Sequence, residues 1–363
     1  MRPSEFDLEG DGEEPNGETD DRRHRTDGGQ STRAPFEMVS SETVSRSDRY
    51  KIAFTDWVVA PAKIIWSDWR ARVGGFIILL YAFMGTVGVR IVDEPRVGDG
   101  PRVAQPFQDM SYPLGTDLNG NDLFAQTVHA TPPMLEMIVV GAVFTTILAT
   151  IFGVISGYKG GTTDRLMMTF TDILLTIPGL PLVIVLAVVL DPREPWLVGI
   201  ILSINAWAGL ARAIRSQVLT IREEEFIEAA RLMGISTPRI LVKHVTPGLM
   251  PYILVNFVNA ARTIIFASVA LYFLGILPET HLNWGVMMNH AYELGGALYT
   301  PSTAHWLFVP MMAIILLSFG LILFAQGTDR IFNPRVRARH ASGAEIDDLD
   351  ESDDDTTPKS IIQ

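Results

Sequence analysis

The sequence predicts an all-α integral membrane protein with six transmembrane helices and disordered acidic tails. Three observations carry that prediction. Apolar residues make up 48% of the 363, charged residues only 19%, and the mean hydropathy is positive. Uncharged apolar stretches recur at lengths near the roughly 20 residues that cross a bilayer. The formal charge of −12 sits at the two ends: residues 1–33 sum to −5 and residues 341–363 to −7, which leaves residues 34–340 neutral. A neutral, apolar body offers no basic surface for nucleic acid. With no Cys, disulfide scaffolds and Cys-ligated zinc or iron–sulfur sites are excluded.

In chain order, residues 1–50 are polar, with acidic pairs at Glu13-Glu14 and Asp20-Asp21. Such a segment buries too little apolar surface to offset its chain entropy. It lacks the apolar stretch of a secretory signal, so the N-terminus is expected in the cytoplasm. Residues 51–133 hold the first span, near 73–92, with its flanks. Residues 134–335 form a core of five spans near 134–157, 168–190, 196–218, 249–276 and 305–327. Residues 336–363 are a second disordered cytoplasmic tail. No segment alternates with period two, which excludes a transmembrane barrel.

Orientation follows from the Lys and Arg of the short loops. Arg70 and Arg72 precede span one; Lys159 and Arg165 lie between spans two and three. Arg222, Arg231, Arg239 and Lys243 lie between four and five, with Arg212 and Arg215 just inside span four. The loop between spans five and six has neither Lys nor Arg. Both termini are thus expected in the cytoplasm of a multi-pass cell-membrane protein.

Catalytic chemistry is not written in the chain. No G-x-x-x-x-G-K-[ST], H-E-x-x-H or G-x-S-x-G pattern occurs, and the seven His have no metal-ligand spacing. No cofactor is expected, and the chain is not read as an enzyme. Ion-coupled carriers place carboxylates deep in the membrane. Here Glu136 and Asp172 are read near span ends, and Arg262 is the one deep charge. Asp117-Leu-Asn119-Gly-Asn121 copies the opening of an EF-hand loop, but Asp122 stands at the glycine and Val128 at the closing Glu. It reads as a turn before span two.

The cytoplasmic segment 222–247 is the most informative. Three acids, Glu223 to Glu225, suit a helix N-terminus, and Gly234 suits its C′ position. Ser236 or Thr237 can cap a second short helix with Pro238 in its first turn. Ala229 and Ala230 leave a small, smooth face, which with Arg231 reads as a docking element.

Here the sequence resembles a known family. Glu228-Ala229-Ala230, three residues and Gly234, then Pro247, is similar to the EAA loop of ABC importer permeases. Tyr112-Pro-Leu-Gly-Thr-Asp117 with Gly120-Asn-Asp122, Thr171-Asp172 to Pro178-Gly179, Leu271 to Gly275, Asn283-Trp284-Gly285 and Gly327-Thr-Asp329 through Asn333-Pro334-Arg335 resemble the dipeptide/oligopeptide/nickel branch, second permease type. Tyr112 and Asn121 depart from that type's His and Arg. His244 and Thr246 depart from apolar positions of the loop. In span five Arg262 replaces a small or apolar residue, and Ser268 stands where Glu is common; both are candidates to line the pore.

The resemblance implies a type I ABC importer permease fold and one half of a path for peptides, or alternatively nickel complexes or oligosaccharides. It implies a second, different permease, two ATPase subunits that carry out ATP hydrolysis, an extracellular solute-binding protein and the lipid bilayer as partners. Glu228, Ala229, Ala230, Arg231, Gly234 and Pro247 would couple the chain to the ATPase. Arg262 is expected at the pore or a helix interface. An ion-coupled secondary transporter and a membrane scaffold or sensor are the rival classes.

Overall fold

The computed structural model describes residues 68–329. Both acidic tails, residues 1–50 and 336–363, and the closing Asn333-Pro334-Arg335 lie outside the described residues. Ten helical elements follow one another among the described residues, with no strand beyond an isolated bridge between Thr116 and Asp122. They are α1 (Trp69–Ile91), α2 (Leu123–Lys159), α3 (Gly161–Thr176), α4 (Gly179–Leu190), α5 (Pro195–Leu202), α6 (Ala206–Ile221), α7 (Glu225–Leu232), α8 (Thr237–Phe273), α9 (Trp284–Glu293) and α10 (Ala304–Asp329). Four of these, α1, α2, α8 and α10, are long and apolar enough to cross a membrane. The bent pairs α3–α4 and α5–α6 bring the number to six if each counts as one span.

The breaks have local causes. Between α3 and α4 the chain turns by 81° at Ile177-Pro178. Proline has no N–H to give its preceding turn and pushes the residue before it out of helical geometry. Ile177 is accordingly extended, with ψ 123°. Between α5 and α6 the 55° bend falls at Ser203 to Asn205. There the Ser203 hydroxyl lies 2.7 Å from the Gly199 carbonyl oxygen and 3.1 Å from that of Gly141 on α2, bonding the bend to its neighbour.

Two boundaries differ from the sequence prediction. The second span begins at Leu123, not near 134, because the Asp122 carboxylate accepts from the Phe124 and Ala125 N–H groups and caps the helix. Pro132 and Pro133 then sit inside α2 rather than at its start. They leave the carbonyls of Val128 and His129 without an in-helix donor, and one residue earlier Thr131 Oγ1 donates to the Thr127 oxygen at 2.8 Å while Trp284 Nε1 reaches the same oxygen at 3.4 Å, tying this turn of α2 to α9. Glu136, read near a span end, is therefore about 20 Å along α2. The second short helix expected at 237 is not separate. It passes through a π-turn at Leu241–Val245 into the fifth span.

The calcium-like stretch is a turn. Asp117 Oδ1 accepts from the N–H of Asn119 (2.8 Å) and Asn121 (2.9 Å), and Oδ2 from the side chains of Asn121 and Gln126. The carboxylate is saturated by protein donors and so holds the loop onto α2.

Packing follows the membrane rule that small residues let helices approach closely. A Cβ at Gly74 of α1 would lie 2.4 Å from Phe324 N and 2.6 Å from the Gly320 oxygen of α10. We expect Gly74→Val to separate these helices at a cost of about 1–3 kcal/mol. Lower thermal stability and less monodisperse protein after detergent extraction would report it; an unchanged melting profile would exclude this contact as a determinant. Gly141 of α2 meets Gly199 of α5 in the same way. Helix α9 was not foreseen. It is short, yet Trp284, Val286, Met287 and Ala291 pack into the same buried cluster as Met134, Met137, Ile265 and Leu317.

Candidate functional site

Helices α1, α2 and α10 fix which ends share a side. Ala71 meets Gly327, so the start of α1 lies beside the end of α10; Gly85 meets Thr131 and Leu135 while Gly88 meets Val128, so α1 and α2 are antiparallel. The start of α1, the end of α2, α7 and the end of α10 therefore lie on one side. Segments 93–122, 191–194 and 274–303 lie on the other.

On the first side α7 is the element built to be used. Glu225 and Glu228 stand in its first turn, where the helix dipole favours them. Its end is a Schellman motif: Ile235 N–H donates to the Ala230 oxygen (3.1 Å), Gly234 N–H to the Arg231 oxygen (2.9 Å), and Gly234 has φ +73°. Nothing lies within 4 Å of a Cβ at Gly234, so its glycine is needed for backbone hand alone. Ile235 then packs on the cluster that buries Ile227 and Ala230.

One face of α7 is fastened to the transmembrane body. Ile227 and Ala230 are fully buried among Tyr158, Val218, Ile240, Val245 and Leu249, contributed by α2, α6 and α8. Arg231 Nε donates to the Tyr158 hydroxyl at 3.0 Å, and its guanidinium lies 4.8 Å from that ring's centre, a cation–π contact. Arg222 Nη1 donates to the Gly157 oxygen at 3.2 Å. The rest of the helix surface is open, with exposed apolar side chains beside the exposed Glu225 and Glu228. Leu232 is 84% exposed, Met233 72% and Phe226 52%, with Ala229 among them. A groove of about 850 Å³ runs beside the helix, lined by Lys159, Arg222, Glu223, Glu228 and Thr237.

The alanine pair predicted as one smooth face is split. Consecutive helical residues point about 100° apart, so Ala229 faces out while Ala230 packs inward. Glu228 is exposed at the groove, and Pro247 is exposed near the base of α8. Tyr158, Phe226, Leu232 and Met233 were missed by sequence reasoning. For Leu232 the signal was present, since its spacing puts it on the face away from Ile227 and Ala230, whereas Phe226 and Met233 stand four and three residues from Ala230 and flank the buried stripe.

The two span-five candidates stand apart from α7. Ser268 is wholly buried in the chain's own core, its Oγ 2.9 Å from the Ile265 oxygen, and does not reach the surface. Arg262 is half-buried between α8 and α10, beside Asn259, Ile322, Ala325 and Gln326. On α10 the residues that line its hollow, Ile322, Ala325 and Gln326, fall in the last two turns of the described helix.

Comparison with known proteins adds an independent line. The model of the family described as binding-protein-dependent transport system inner membrane component matches residues 149–338, just over half the chain. The chain is 35% identical over 226 residues to the oligopeptide transport system permease protein OppC of Bacillus subtilis, covering 62% of this chain and 72% of that one. It is 30% identical over 276 residues to the dipeptide transport system permease protein DppC of the same organism, covering 74% and 82%. With the OppC of Haemophilus influenzae it shares 32% over 235 residues, 64% and 74% of the two chains.

Proposed function

This chain belongs to the family of binding-protein-dependent transport system inner-membrane components, and on that premise we propose that it forms one half of a peptide passage, driven through α7. It is a multi-pass permease subunit of an ABC importer, whose ATP hydrolysis resides in separate subunits. The relatives' names, oligopeptide and dipeptide transport, support peptides as the cargo. Nickel complexes or oligosaccharides would travel by the same mechanics.

The observation that carries the mechanism is the two-faced α7. Glu228, Ala229, Arg231 and Gly234 shape a helix whose inner face is bonded to α2 and α8 and whose outer face offers Phe226, Leu232 and Met233. An ATPase groove that received the outer face would move α2 and α8 with it. Closure of two ATPase subunits then rocks two permease halves and opens the passage to alternate sides. Exposed apolar surface along α3 and α4, including Val185, Val188 and Val189, suits a second permease as the other half. We assign the α7 side to the cytoplasm, with both termini there. Lys159, Arg165, Arg222, Arg239 and Lys243 gather on that side, and the positive-inside rule supports the assignment.

A crosslink tests this reading. The native chain has no Cys, so one introduced thiol reports one place. Ala229→Cys, on the open face, should crosslink to a Cys in the ATPase groove. Ala230→Cys, packed inward, should react far less, and Ser302→Cys, on the opposite side, not at all. A crosslink at Ser302 in place of Ala229 would overturn both the docking surface and the orientation.

A further inference from the structure

We propose that the groove between α8 and α10 is a binding site for one anionic phospholipid of the cytoplasmic leaflet, with Arg262 holding the phosphate. Two contiguous hollows make up this groove. The first, about 510 Å³, is lined by apolar side chains from four helices, among them Ala82 of α1, Ile138 of α2, Leu254 of α8 and Leu321 of α10. Its size falls within the range of about 300–1,000 Å³ typical of ligand sites. The second adjoins it through Val255, Val258 and Ala325 and ends in Asn259, Arg262 and Gln326. One end is thus shaped for a hydrocarbon chain and the other for a hydrated anion.

The polar end is incomplete without a ligand. Arg262 Nε is buried and has no acceptor among the described residues. A guanidinium offers five donors in a planar fork that matches phosphate oxygens. A helical side chain leans toward its helix N-terminus, so Arg262 leans toward Asn259 and the α7 side. A second cation stands close by: Arg70 Nη1 donates to Gln326 Oε1 at 3.4 Å. Arg262 and Arg70 therefore flank Gln326, and Arg70 stands in the first turn of α1.

The apolar part cannot supply preference by itself, because lipid tails are as apolar as the slot. It supplies shape. Selection must come from the charge, which is why the occupant is anionic and not zwitterionic. Basic residues near a leaflet attract anionic lipid in just this way. The inference rests on the permease reading only for the leaflet assigned.

The test uses the full-length chain with its partner subunits in phosphatidylcholine nanodiscs. Each disc carries a trace of phosphatidylglycerol bearing a photoactivatable diazirine in one chain, or of the matching phosphatidylcholine probe. After illumination, adducts are mapped by mass spectrometry without ATP. We expect the phosphatidylglycerol probe to label residues 251–261 and 317–325 at least about fivefold above the other probe, the ratio one basic contact gives. Arg262→Gln should bring the two probes level, and Arg262→Lys should keep part of the difference. Ala82→Trp, on α1 and outside the hollow that holds Arg262, fills the slot without touching the charge and should lower labelling by both. Equal labelling by the two probes in the native chain overturns the proposal whatever the variants do. So does an unlabelled slot, which would mean that a neighbouring protein helix covers it. Neither outcome bears on the α7 crosslink, which tests the permease reading separately.

Discussion

Leu232→Asp is expected to abolish ATP-driven uptake while leaving the chain at its normal level in the membrane. Leu232 is 84% exposed, and an exposed position away from packing changes folding by only about 0.5 kcal/mol. In a complex the same side chain would sit on the open side of α7, beside Glu228 and Ala229. Truncating or charging a central, desolvated interface residue costs about 2 kcal/mol or more, at least a 30-fold loss of association. A carboxylate buried there without a partner adds a desolvation penalty. The measurement is copurification of the ATPase together with uptake into proteoliposomes. Ile227→Asp is the contrasting variant. Ile227 is fully buried against α2, α6 and α8, so its loss should appear as reduced permease, not as intact permease without ATPase. Wild-type copurification by Leu232→Asp would show that α7 does not dock through this face.

The contrast between those two leucine-sized positions also marks where sequence reasoning was sharp and where it stopped. The helix ending at Gly234 was legible because capping is local: a glycine in the left-handed region closes the helix with bonds to Arg231 and Ala230, all within five residues. What the helix is fastened to was not legible. Tyr158 lies 73 residues away in the chain from Arg231, and nothing near either residue announces the pair. The same divide runs through the fold. Long uncharged runs declare α1, α2, α8 and α10 because membrane length is a property of a run. The bends at Pro178 and Ser203 and the burial of α9 depend on what packs alongside. Trp284 looks like an interfacial aromatic in isolation, yet it is wholly buried, edge-on to Tyr81 with 5.6 Å between ring centres. Arg262 shows the same limit: its position within an apolar run said nothing of the α10 residues, Ile322, Ala325 and Gln326, that share its hollow.

Arg215→Asp is expected to cost the chain most of its uptake and part of its stability, and Asp164→Arg on the same chain to restore a share of both. Sequence reasoning used Arg212 and Arg215 only as markers of the cytoplasmic side. In the fold they face acids: Arg215 forms two parallel bonds to Asp164, each 2.5 Å, and Arg212 Nε bonds Asp172 at 2.9 Å. Both pairs join α3 to α6, and α6 leads into α7 through Arg222, Glu223 and Glu224 alone. The first broken span is thereby clasped to the helix that carries the docking element. The Asp164–Arg215 side chains retain 18% and 30% exposure, so their bonds are partly screened; hydrogen bonds to charged groups contribute about 1.5–3 kcal/mol. Reversing one charge replaces attraction with two facing carboxylates, and uptake should fall at least about tenfold, the equivalent of about 1.4 kcal/mol. The double reversal recovers the attraction but only in part, because Arg222 also acts on the site of Asp164 and would repel an arginine placed there. Uptake and the melting temperature of the purified complex read the two effects separately. Recovery of stability without recovery of uptake would mean the clasp holds the fold while another route carries the motion. A double variant no better than Arg215→Asp alone would remove the pair from the mechanism altogether.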